Sequence, residues 1–368
     1  MKVKKTAIFF RNGSRPVPRA VRMMKVAENL GYNSIFCGAL RGSEISKNDK
    51  WDGFDVVRVG SNYPFLSGKK FFTYIKYTTI FCFGLYQYFR KSKPKLLVAS
   101  DFEVMLPAIL YSRLYKIRLI YNIHDNLSQR YNVPFFIAYI LNFFEGIVTL
   151  FAESALVPEG FRRDSLPSWC QNKIHIVKNT PGDIQYIDPP KFEGKIKLFY
   201  GGWLDWGRGI EELIYLSESN SEIELVIAGS GDAEVVSYIK KFNSVKYLGH
   251  ISHQESLSES AKAHFIPSFY APSTIINRYS ASNKLAESLA IGRPLLVNSE
   301  MEIIKSFKDY DCYLEYQYSD IKQIGPSLLL LIQNREKYLK MCNQSKKLFD
   351  AQYTWSIAKK TMISLIRR

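Results

Sequence analysis

The feature of this sequence that most limits its fold is a regular alternation of short apolar segments with helical patterns. Helical patterns cover Pro18–Leu30, Glu103–Leu114, Ile210–Leu216 and Asn283–Ala290. Between such patterns lie the predicted strands, which are rich in β-branched and aromatic residues: Thr6–Phe10, Ser34–Cys37, Val56–Val59, Leu96–Ser100, Leu119–Ile123, Ala155–Val157, Ile174–Val177, Lys197–Tyr200, Glu224–Ala228, Val245–Leu248, His264–Pro267 and Leu295–Asn298. This alternation predicts an α/β chain of parallel sheets wrapped by helices.

A domain boundary is predicted near the middle of the chain. The 368 residues suggest two domains, at roughly 150 residues each. The segment Asn179–Pro190, with the sequence NTPGDIQYIDPP, concentrates Pro, Gly and Asp between two predicted strands. Open α/β sheets bind ligands beyond the carboxyl ends of their strands, so functional residues are sought there, and two facing domains would leave a cleft between them.

The positive charge of the chain is concentrated in its first half. Residues 1–180 contain 27 Lys and Arg against 12 Asp and Glu, whereas residues 181–368 contain 23 against 22. A basic surface of this kind attracts nucleic acid, an anionic membrane leaflet or a phosphorylated substrate. The alternative is that the proteome is generally basic, but both halves of the chain would then carry a similar excess of Lys and Arg.

Cysteine usage and hydropathy predict a reduced, cytoplasmic protein that is soluble or peripheral to a membrane. The five cysteines show no metal-ligand spacing, and their odd number argues against a disulfide framework. No secretory signal is recognised at the N-terminus. Two apolar stretches, Phe71–Phe89 and Val133–Phe151, are interrupted by polar or charged residues, so we expect helices packed in a core or lying on a membrane surface.

Three predicted strands of the second half run directly into glycines. The first ends in Gly201-Gly202, with Arg208 just before a predicted helix start near Gly209; the second runs into Gly229 and Gly231, and the third ends at Gly249. Glycines let a backbone approach a ligand closely, and a helix N-terminus presents unpaired N–H groups to an anion. An ordinary strand-to-helix turn is the alternative for each of these segments taken alone.

A fourth segment, HFIPSFYAPSTIINRYSASNKLAESLAIGRP, is the most specific. A strand leads into a polar loop and then a helix that begins near Asn283, on which Lys284 and Glu287 share one face. Gly292 is a natural C-cap for that helix.

Taken in this order, these segments resemble the nucleotide-binding domain of GT-B glycosyltransferases, specifically retaining family 4. The segment 202–209 has the length of the family's G-R-x4-K-G motif, and Pro267–Ser268, Glu287 and Ala290–Pro294 match its later motifs. YNIHDN places His124 at a strand end, similar to the family's histidine-bearing loop. Trp203 stands where the family has an arginine, Arg208 where it has a lysine, and Tyr279 where it has the first glutamate. The segment around Asn283 resembles a branch common among bacterial surface-polysaccharide transferases.

The resemblance implies a GT-B fold of two Rossmann-like domains whose parallel sheets face a central cleft. Residues 1–180 would bind the acceptor, residues 181–350 the nucleotide sugar, and a final helix in residues 351–368 would return to the first domain. It implies catalytic roles for His124, Arg208 and Lys284. It also implies donor binding by Gly201, Gly202, Gly229, Gly231, His250, Ile251, Asn277, Asn283 and Glu287. No metal and no cofactor is expected, since the nucleotide diphosphate sugar is a co-substrate; Asp309–Asp311 is read as a loop before a strand, and not as a metal site.

A basic set near the N-terminus suggests how an acceptor is reached. Asn12-Gly13 could form a turn near the acceptor, and Arg15, Arg19 and Arg22 add positive charge to the next predicted helix. Further basic residues follow at Lys69, Lys70, Arg90, Lys91, Lys93 and Lys95. The set is read either as a solvated helix face or as a docking surface for an anionic membrane that carries a lipid-linked acceptor.

The function that the resemblance implies is retaining, hexosyltransferase-like transfer of a sugar from a nucleotide sugar to a lipid-linked saccharide in surface-polysaccharide synthesis. The location would be the cytoplasmic, inner face of the cell membrane. A GT-B sugar-nucleotide epimerase and a degenerate, non-catalytic membrane-associated subunit, the latter suggested by Trp203 and Tyr279, are the alternatives. A nucleic-acid-binding module is disfavoured because no recognised motif accompanies the basic residues.

Overall fold

The computed structural model describes residues 5–41, 45–63 and 71–367 of the chain. The chain divides into two compact units. The first unit comprises Met1–Val177 together with Ala358–Arg368, and the second comprises Lys178–Ile357. Each unit has its own hydrophobic core.

The first unit is built on one large sheet. Its strands are β1 (Lys5–Arg11), β2 (Tyr32–Arg41), β3 (Asn48–Trp51), β4 (Phe54–Tyr63), β5 (Leu96–Ser100), β6 (Arg118–Asn122), β7 (Ser154–Val157) and β8 (Ile174–Ile176). Its helices are α1 (Pro18–Asn29), α2 (Phe71–Ser92), α3 (Met105–Tyr115), α4 (Phe135–Phe151), α5 (Gly160–Asp164) and α6 (Ser168–Gln171), with short 3-10 helices at Phe102–Val104 and Leu127–Gln129.

The strand order of this sheet is β3-β4-β2-β1-β5-β6-β7-β8. All neighbouring pairs are parallel except β3 with β4. The order reverses at β1, because β2 lies on one side of it and β5 on the other. The carboxyl ends of β1, β5 and β6 therefore meet at one edge, where open α/β sheets bind ligands.

The second unit has the corresponding architecture with shorter strands. Its strands are β9 (Ile196–Gly201), β10 (Ile223–Ala228), β11 (Val245–Tyr247), β12 (Ile266–Ser268), β13 (Leu295–Asn298) and β14 (Tyr313–Tyr316). Its helices are α7 (Ile210–Glu218), α8 (Ala233–Ile239), α9 (His253–Lys262), α10 (Ile275–Arg278), α11 (Asn283–Ala290), α12 (Gly325–Gln333), α13 (Arg335–Gln352) and α14 (Trp355–Arg367), the last of which continues into the first unit. Short 3-10 helices lie at Trp206–Arg208, Glu302–Ser306 and Tyr318–Gln323.

Two parallel three-stranded sheets, β11-β10-β9 and β12-β13-β14, meet in this unit. A parallel bridge between Leu198 and Phe265 joins β9 to the chain entering β12. The combined order therefore reverses at β9, and Gly201 ends that strand. The switch point of the second unit lies at a glycine pair.

The sequence predicts most of these elements, with small shifts at their ends. It does not predict β3, because the segment NDKW lacks an apolar alternation and pairs only at the sheet edge. Asp309–Asp311 does lie in the loop that precedes β14. The two apolar stretches form α2 and α4, and no helix in the described ranges is both long and apolar enough to cross a bilayer.

Candidate functional site

The loops that follow β9 and β10 cross each other closely at the switch point of the second unit. The Gly202 N–H donates to the Ala228 carbonyl at 3.0 Å, and the Leu204 N–H donates to the Ser230 carbonyl at the same distance. A Cβ atom placed on Gly229, whose φ is +144°, would lie 1.8 Å from the Gly202 carbonyl oxygen. Only glycine fits there, because a side chain would collide with backbone that the strand ends hold fixed.

A cavity of about 620 Å³ opens beside these loops. Nine of its lining residues are predicted site residues: Gly201, Gly202, Arg208, Gly229, His250, Ile251, Asn283, Lys284 and Glu287. The other lining residues are Tyr200, Trp203, Ala228, Ser230, His253, Ser256, Tyr270 and Ser282. The structure thus brings residues from the ends of several strands and from the start of α11 to one place, which is the usual position of a ligand site in such a fold.

Arg208 is held in the cavity wall by two neighbours. Its Nε donates to the Asp205 carboxylate at 2.9 Å, and its guanidinium carbon lies 4.6 Å from the centre of the Tyr270 ring. The other Asp205 oxygen accepts from the Gly207 N–H at 2.8 Å, which fixes the turn. The guanidinium is therefore ordered in advance, and because Asp205 holds it through Nε, its two terminal nitrogens can contact an anion.

Lys284 lies in the first turn of α11, with its ammonium nitrogen 3.7 Å from the centre of the Tyr200 ring. Burial, and to a smaller extent the charge of the nearby Arg208, lower the pKa of Lys284 to about 7. Ser282, just before the helix, has a buried Oγ without a hydrogen-bond partner in the described residues. A half-buried cation, an unpartnered hydroxyl and the start of a helix together favour an anionic ligand.

Glu287 contacts a histidine that the sequence does not reveal as a partner. Its Oε1 lies 3.0 Å from Nε2 of His253, the first residue of α9. The signal that could have found it is the Ser252-x-x-Glu255 capping box, which fixes where α9 begins and so places His253 at the same sheet edge. The carboxylate of Glu287 is positioned by this contact before any ligand arrives.

Three predicted features lie away from the cavity. Gly231 packs on the Leu204 carbonyl oxygen, where a Cβ would lie 1.9 Å away, and Asn277 donates its amide to the Ala271 carbonyl at 2.9 Å. The start of α7 does not line the cavity within the described residues; Glu211 and Glu212 occupy its first turn instead. The helix that begins at the cavity is α11, so an anionic ligand in the cavity would contact the N-terminus of α11 and not that of α7.

The two departures from the family pattern also differ in position. Trp203 lines the cavity and is 59% exposed, so an aromatic face stands where the family has an arginine. Tyr279 is not among the described lining residues. The cavity therefore carries one cation fewer than the family motif and one additional surface on which a ring can stack.

His124 lies in a separate cluster at the carboxyl edge of the first unit's sheet. Its Nδ1 is 3.1 Å from Asp101 Oδ1, and its Nε2 is 3.4 Å from the Asn122 amide nitrogen. Burial lowers the pKa of His124 and outweighs the opposing effect of Asp101. The neutral ring therefore donates Nδ1–H to Asp101 and keeps Nε2 as an acceptor.

Asp101 is the centre of this cluster. It is buried, adopts a φ of +74°, and also contacts Arg130 at 2.8 Å and Arg11 at 3.8 Å. Burial alone would raise its pKa, but the hydrogen bond from His124 and the charges of Arg130 and Arg11 hold the pKa well below its usual range. A left-handed backbone at a buried aspartate is strained, and such strain is concentrated at functional sites.

Glu145 ties α4 to the loop that carries His124. Its carboxylate accepts from the Tyr121 hydroxyl at 2.8 Å and from the Leu127 N–H at 2.7 Å. Burial raises the pKa of Glu145 to about 7 despite these two hydrogen bonds. The loop following His124 thus depends on one buried carboxyl group.

The structure disperses the basic set predicted near the N-terminus. The Asn12 carboxamide oxygen accepts from Arg41 at 2.8 Å, and the Gly13 carbonyl accepts from the Ala39 N–H at 3.0 Å. Arg15 is exposed and lies over Trp51, at 4.8 Å from the ring centre.

Arg19 and Arg22, both on α1, have different surroundings. Arg22 lines a groove together with Lys25. Arg19, expected on the surface, is instead 4% exposed and donates to the Ile123 carbonyl at 2.8 Å, because α1 packs its face toward the sheet. Lys69 and Lys70 lie outside the described residues.

Comparison with known proteins shows similarity in structure only. No protein-family model and no curated protein matches the sequence. Among solved structures, sucrose-phosphate synthase from Thermosynechococcus elongatus has a TM-score of 0.79 at 12% identity, over 99% of this chain and 98% of that one. HepE from Anabaena, in complex with UDP and glucose, has a TM-score of 0.69 at 10% identity, over 99% of both chains.

A third similar structure is the lipopolysaccharide outer core galactosyltransferase WaaB, with a TM-score of 0.65 and 13% identity over 99% of both chains. This chain has the GT-B fold. The expected α/β class is confirmed, and the shared architecture extends over the full length of the chain.

Proposed function

We propose that the protein is a glycosyltransferase that uses a nucleotide diphosphate sugar as donor. The observation that carries the proposal is the cavity at the switch point of the second unit. Glycine loops after successive strands, two basic side chains and a carboxylate line this cavity together. In GT-B structures such as HepE, whose complexes contain UDP, glucose and UDP-glucose, the ligand is a nucleotide and its sugar.

The diphosphate would lie between the glycine loops and the start of α11. Negative charge grows on the leaving diphosphate as the bond to the sugar breaks, and fixed donors in a buried site stabilise that charge without reorganising. Lys284 supplies a buried ammonium group, and Arg208 supplies a guanidinium held by Asp205. The protein would thereby stabilise the leaving group more in the transition state than in the bound donor.

The nucleoside would lie on the other side of the cavity. Glu287, positioned by His253, would accept hydrogen bonds from the ribose hydroxyls, and charge-assisted bonds of this kind are strong. The segment His250–Ile251 would line the base pocket, and the exposed face of Trp203 is available for a ring to stack.

His124 would act on the transferred sugar or on the acceptor. With Nδ1–H committed to Asp101, Nε2 is an acceptor, and a sugar hydroxyl would replace the Asn122 amide that contacts it at 3.4 Å. A neutral imidazole in this tautomer can orient a sugar hydroxyl, or take up a proton as the acceptor attacks. We propose that the reaction retains configuration, needs no metal and moves a hexose.

We further propose a lipid-linked saccharide acceptor, a role in surface-polysaccharide synthesis and a location at the inner face of the cell membrane. The excess of 15 positive charges in residues 1–180, 27 against 12, supports attraction to an anionic leaflet. The similarity to WaaB, a lipopolysaccharide galactosyltransferase by name, is consistent with a surface glycan as acceptor.

The test is thermal-shift screening of the purified protein against UDP-, GDP- and dTDP-sugars. A ligand at about 100 times its dissociation constant stabilises the folded state by about 2.7 kcal/mol. The expected result is stabilisation by one donor class, lost in Glu287→Ala and kept in Glu315→Ala, whose carboxylate is exposed on β14. No stabilisation by any nucleotide sugar would contradict the proposal.

Turnover of the identified donor separates the remaining alternatives. An epimerase would convert the donor without any acceptor, and a degenerate subunit would bind it without turnover. Transfer to an acceptor glycolipid, with the anomeric configuration read by NMR, is the outcome that we expect.

A further inference from the structure

One face of α4 is apolar, and no element among the described residues covers it. Phe136, Tyr139, Ile140, Phe143 and Phe144 all lie on this side of the helix and are exposed. The opposite side is buried and carries Glu145, the only charged residue of the helix. Large exposed apolar patches on a folded domain mark interaction surfaces, and a surface of this aromatic content needs a partner.

The exposed face of α3 adds to this surface. Leu106, Leu110 and Leu114 recur at four-residue spacing and are 67%, 56% and 66% exposed. The two helices meet where the Arg113 guanidinium lies 5.3 Å from the centre of the Phe151 ring, at the end of α4. We call the exposed sides of α3 and α4 together the apolar face.

Basic side chains border the apolar face. Next to Phe151, a cavity of about 410 Å³ is lined by Arg113, Lys116, Arg118 and Lys173. Glu153, the one carboxylate in its wall, is already paired with Arg118 at 2.8 Å. A positive potential thus adjoins the apolar face, on which Arg113 of α3 is the one exposed charged side chain of the two helices.

We infer that the apolar face docks on an anionic lipid bilayer, with α4 lying in the plane of the interface. The helix spans 17 residues, or about 25 Å, and its buried side is fixed to the sheet, so it would enter one leaflet and not cross it. The bordering cations would contact the anionic headgroups, as juxtamembrane basic residues do.

The distribution of charge favours a lipid bilayer as the partner of the apolar face over a second copy of the chain or a nucleic acid. Two copies meeting through this face would bring two basic borders together, and nucleic acid would meet a surface of phenylalanines where it needs cations. The amphipathic rings of Tyr139 and Trp169, the latter 5.9 Å from the Phe143 ring between ring centres, suit the headgroup level. The inference refines the membrane location given under the proposed function, for which it supplies the surface.

The experiment is co-sedimentation of the full chain with phosphatidylcholine vesicles, with and without a quarter of phosphatidylglycerol. The expected result is binding to the anionic vesicles, with weaker binding to the neutral ones. The variant Phe136→Ser/Ile140→Ser/Phe143→Ser should lower the partition coefficient by more than about tenfold, because three large apolar side chains no longer enter the lipid. Leu330→Ser, which removes an exposed leucine of α12, should bind like the wild type.

A second variant tests the basic border. Arg113→Gln/Lys116→Gln should weaken binding to the anionic vesicles by roughly fivefold per residue and leave binding to the neutral vesicles unchanged. Lys308→Gln, an exposed lysine of the second unit, should change neither. Circular dichroism melts verify that each variant is folded.

Three outcomes would overturn the inference. They are absence of wild-type binding to anionic vesicles, equal binding by the triple serine variant, and a wild-type dimer that becomes monomeric in that variant without any vesicle binding. Because donor binding is measured without lipid, failure here leaves the proposed transferase activity standing, and failure of donor binding leaves the docking surface standing.

Discussion

The charge state of Lys284 makes donor binding depend on pH. Burial lowers the pKa of this residue to about 7, whereas an exposed lysine titrates at 10.5. Binding of a diphosphate favours the charged form, so the pKa of Lys284 rises in the complex. The protein must therefore take up a proton on binding at any pH above 7, and it need not do so below that value.

The expected magnitude follows from the size of that shift. Above pH 7 the affinity falls with a slope approaching tenfold per pH unit, because only the protonated fraction of Lys284 binds without cost. The donor should bind about tenfold more weakly at about pH 8 than at about pH 6. Near pH 8 the complex should take up close to one proton per donor.

Isothermal titration calorimetry in two buffers with different ionisation enthalpies measures both quantities. Lys284→Met keeps an unbranched side chain over the Tyr200 ring and should lose the pH dependence, with affinity at pH 6 reduced at least about tenfold. His253→Gln is the control, since it removes the other titratable partner of Glu287 and should keep the slope above pH 7. Affinity that is constant from about pH 6 to about pH 8, or a slope that survives in Lys284→Met, would refute the reasoning.

Three further predictions concern the fold and the His124 cluster. Because the pKa of Glu145 is raised to about 7, the folded state binds its proton more tightly than the unfolded chain, and the free energy of unfolding should fall by about 2.5 kcal/mol from about pH 5 to pH 8. Glu145→Gln should abolish this fall in denaturant titrations. Gly229→Ala should cost about 3 kcal/mol or more by the same assay, against about 1 kcal/mol for Gly194→Ala, where φ is also positive but the space is open. Asp101→Asn removes the carboxylate that fixes the tautomer of His124, and it should lower kcat at least about tenfold at unchanged donor affinity. A loss of folded protein in proportion to the loss of activity would instead indicate a structural role only.

The sequence predicts those parts of the site that depend on local order along the chain. Gly201, Gly202 and Gly229 follow strands directly, and the three-residue spacing of Lys284 and Glu287 places both on one helix face, so their meeting at the cavity could be anticipated. The strand order that reverses at β9 follows from no single segment, and the sequence analysis does not predict it.

Contacts between distant segments could not be predicted in this way. Asp101 and His124 lie just after the neighbouring strands β5 and β6, and the contact between His253 and Glu287 joins residues of two helices that are 34 positions apart. Arg19 carries a charge that composition places on the surface, but the packing of α1 turns it toward the His124 loop. Side-chain partners of this kind depend on how elements pack, which periodicity does not specify.

The measurement that tests the central claim most directly is a crystal structure with the donor that gives the largest thermal shift. We predict density in the cavity of the second unit, with the diphosphate contacting Lys284 and the start of α11 and the ribose contacting Glu287. A donor bound elsewhere on the chain at saturating concentration, with this cavity filled only by solvent, would contradict the account.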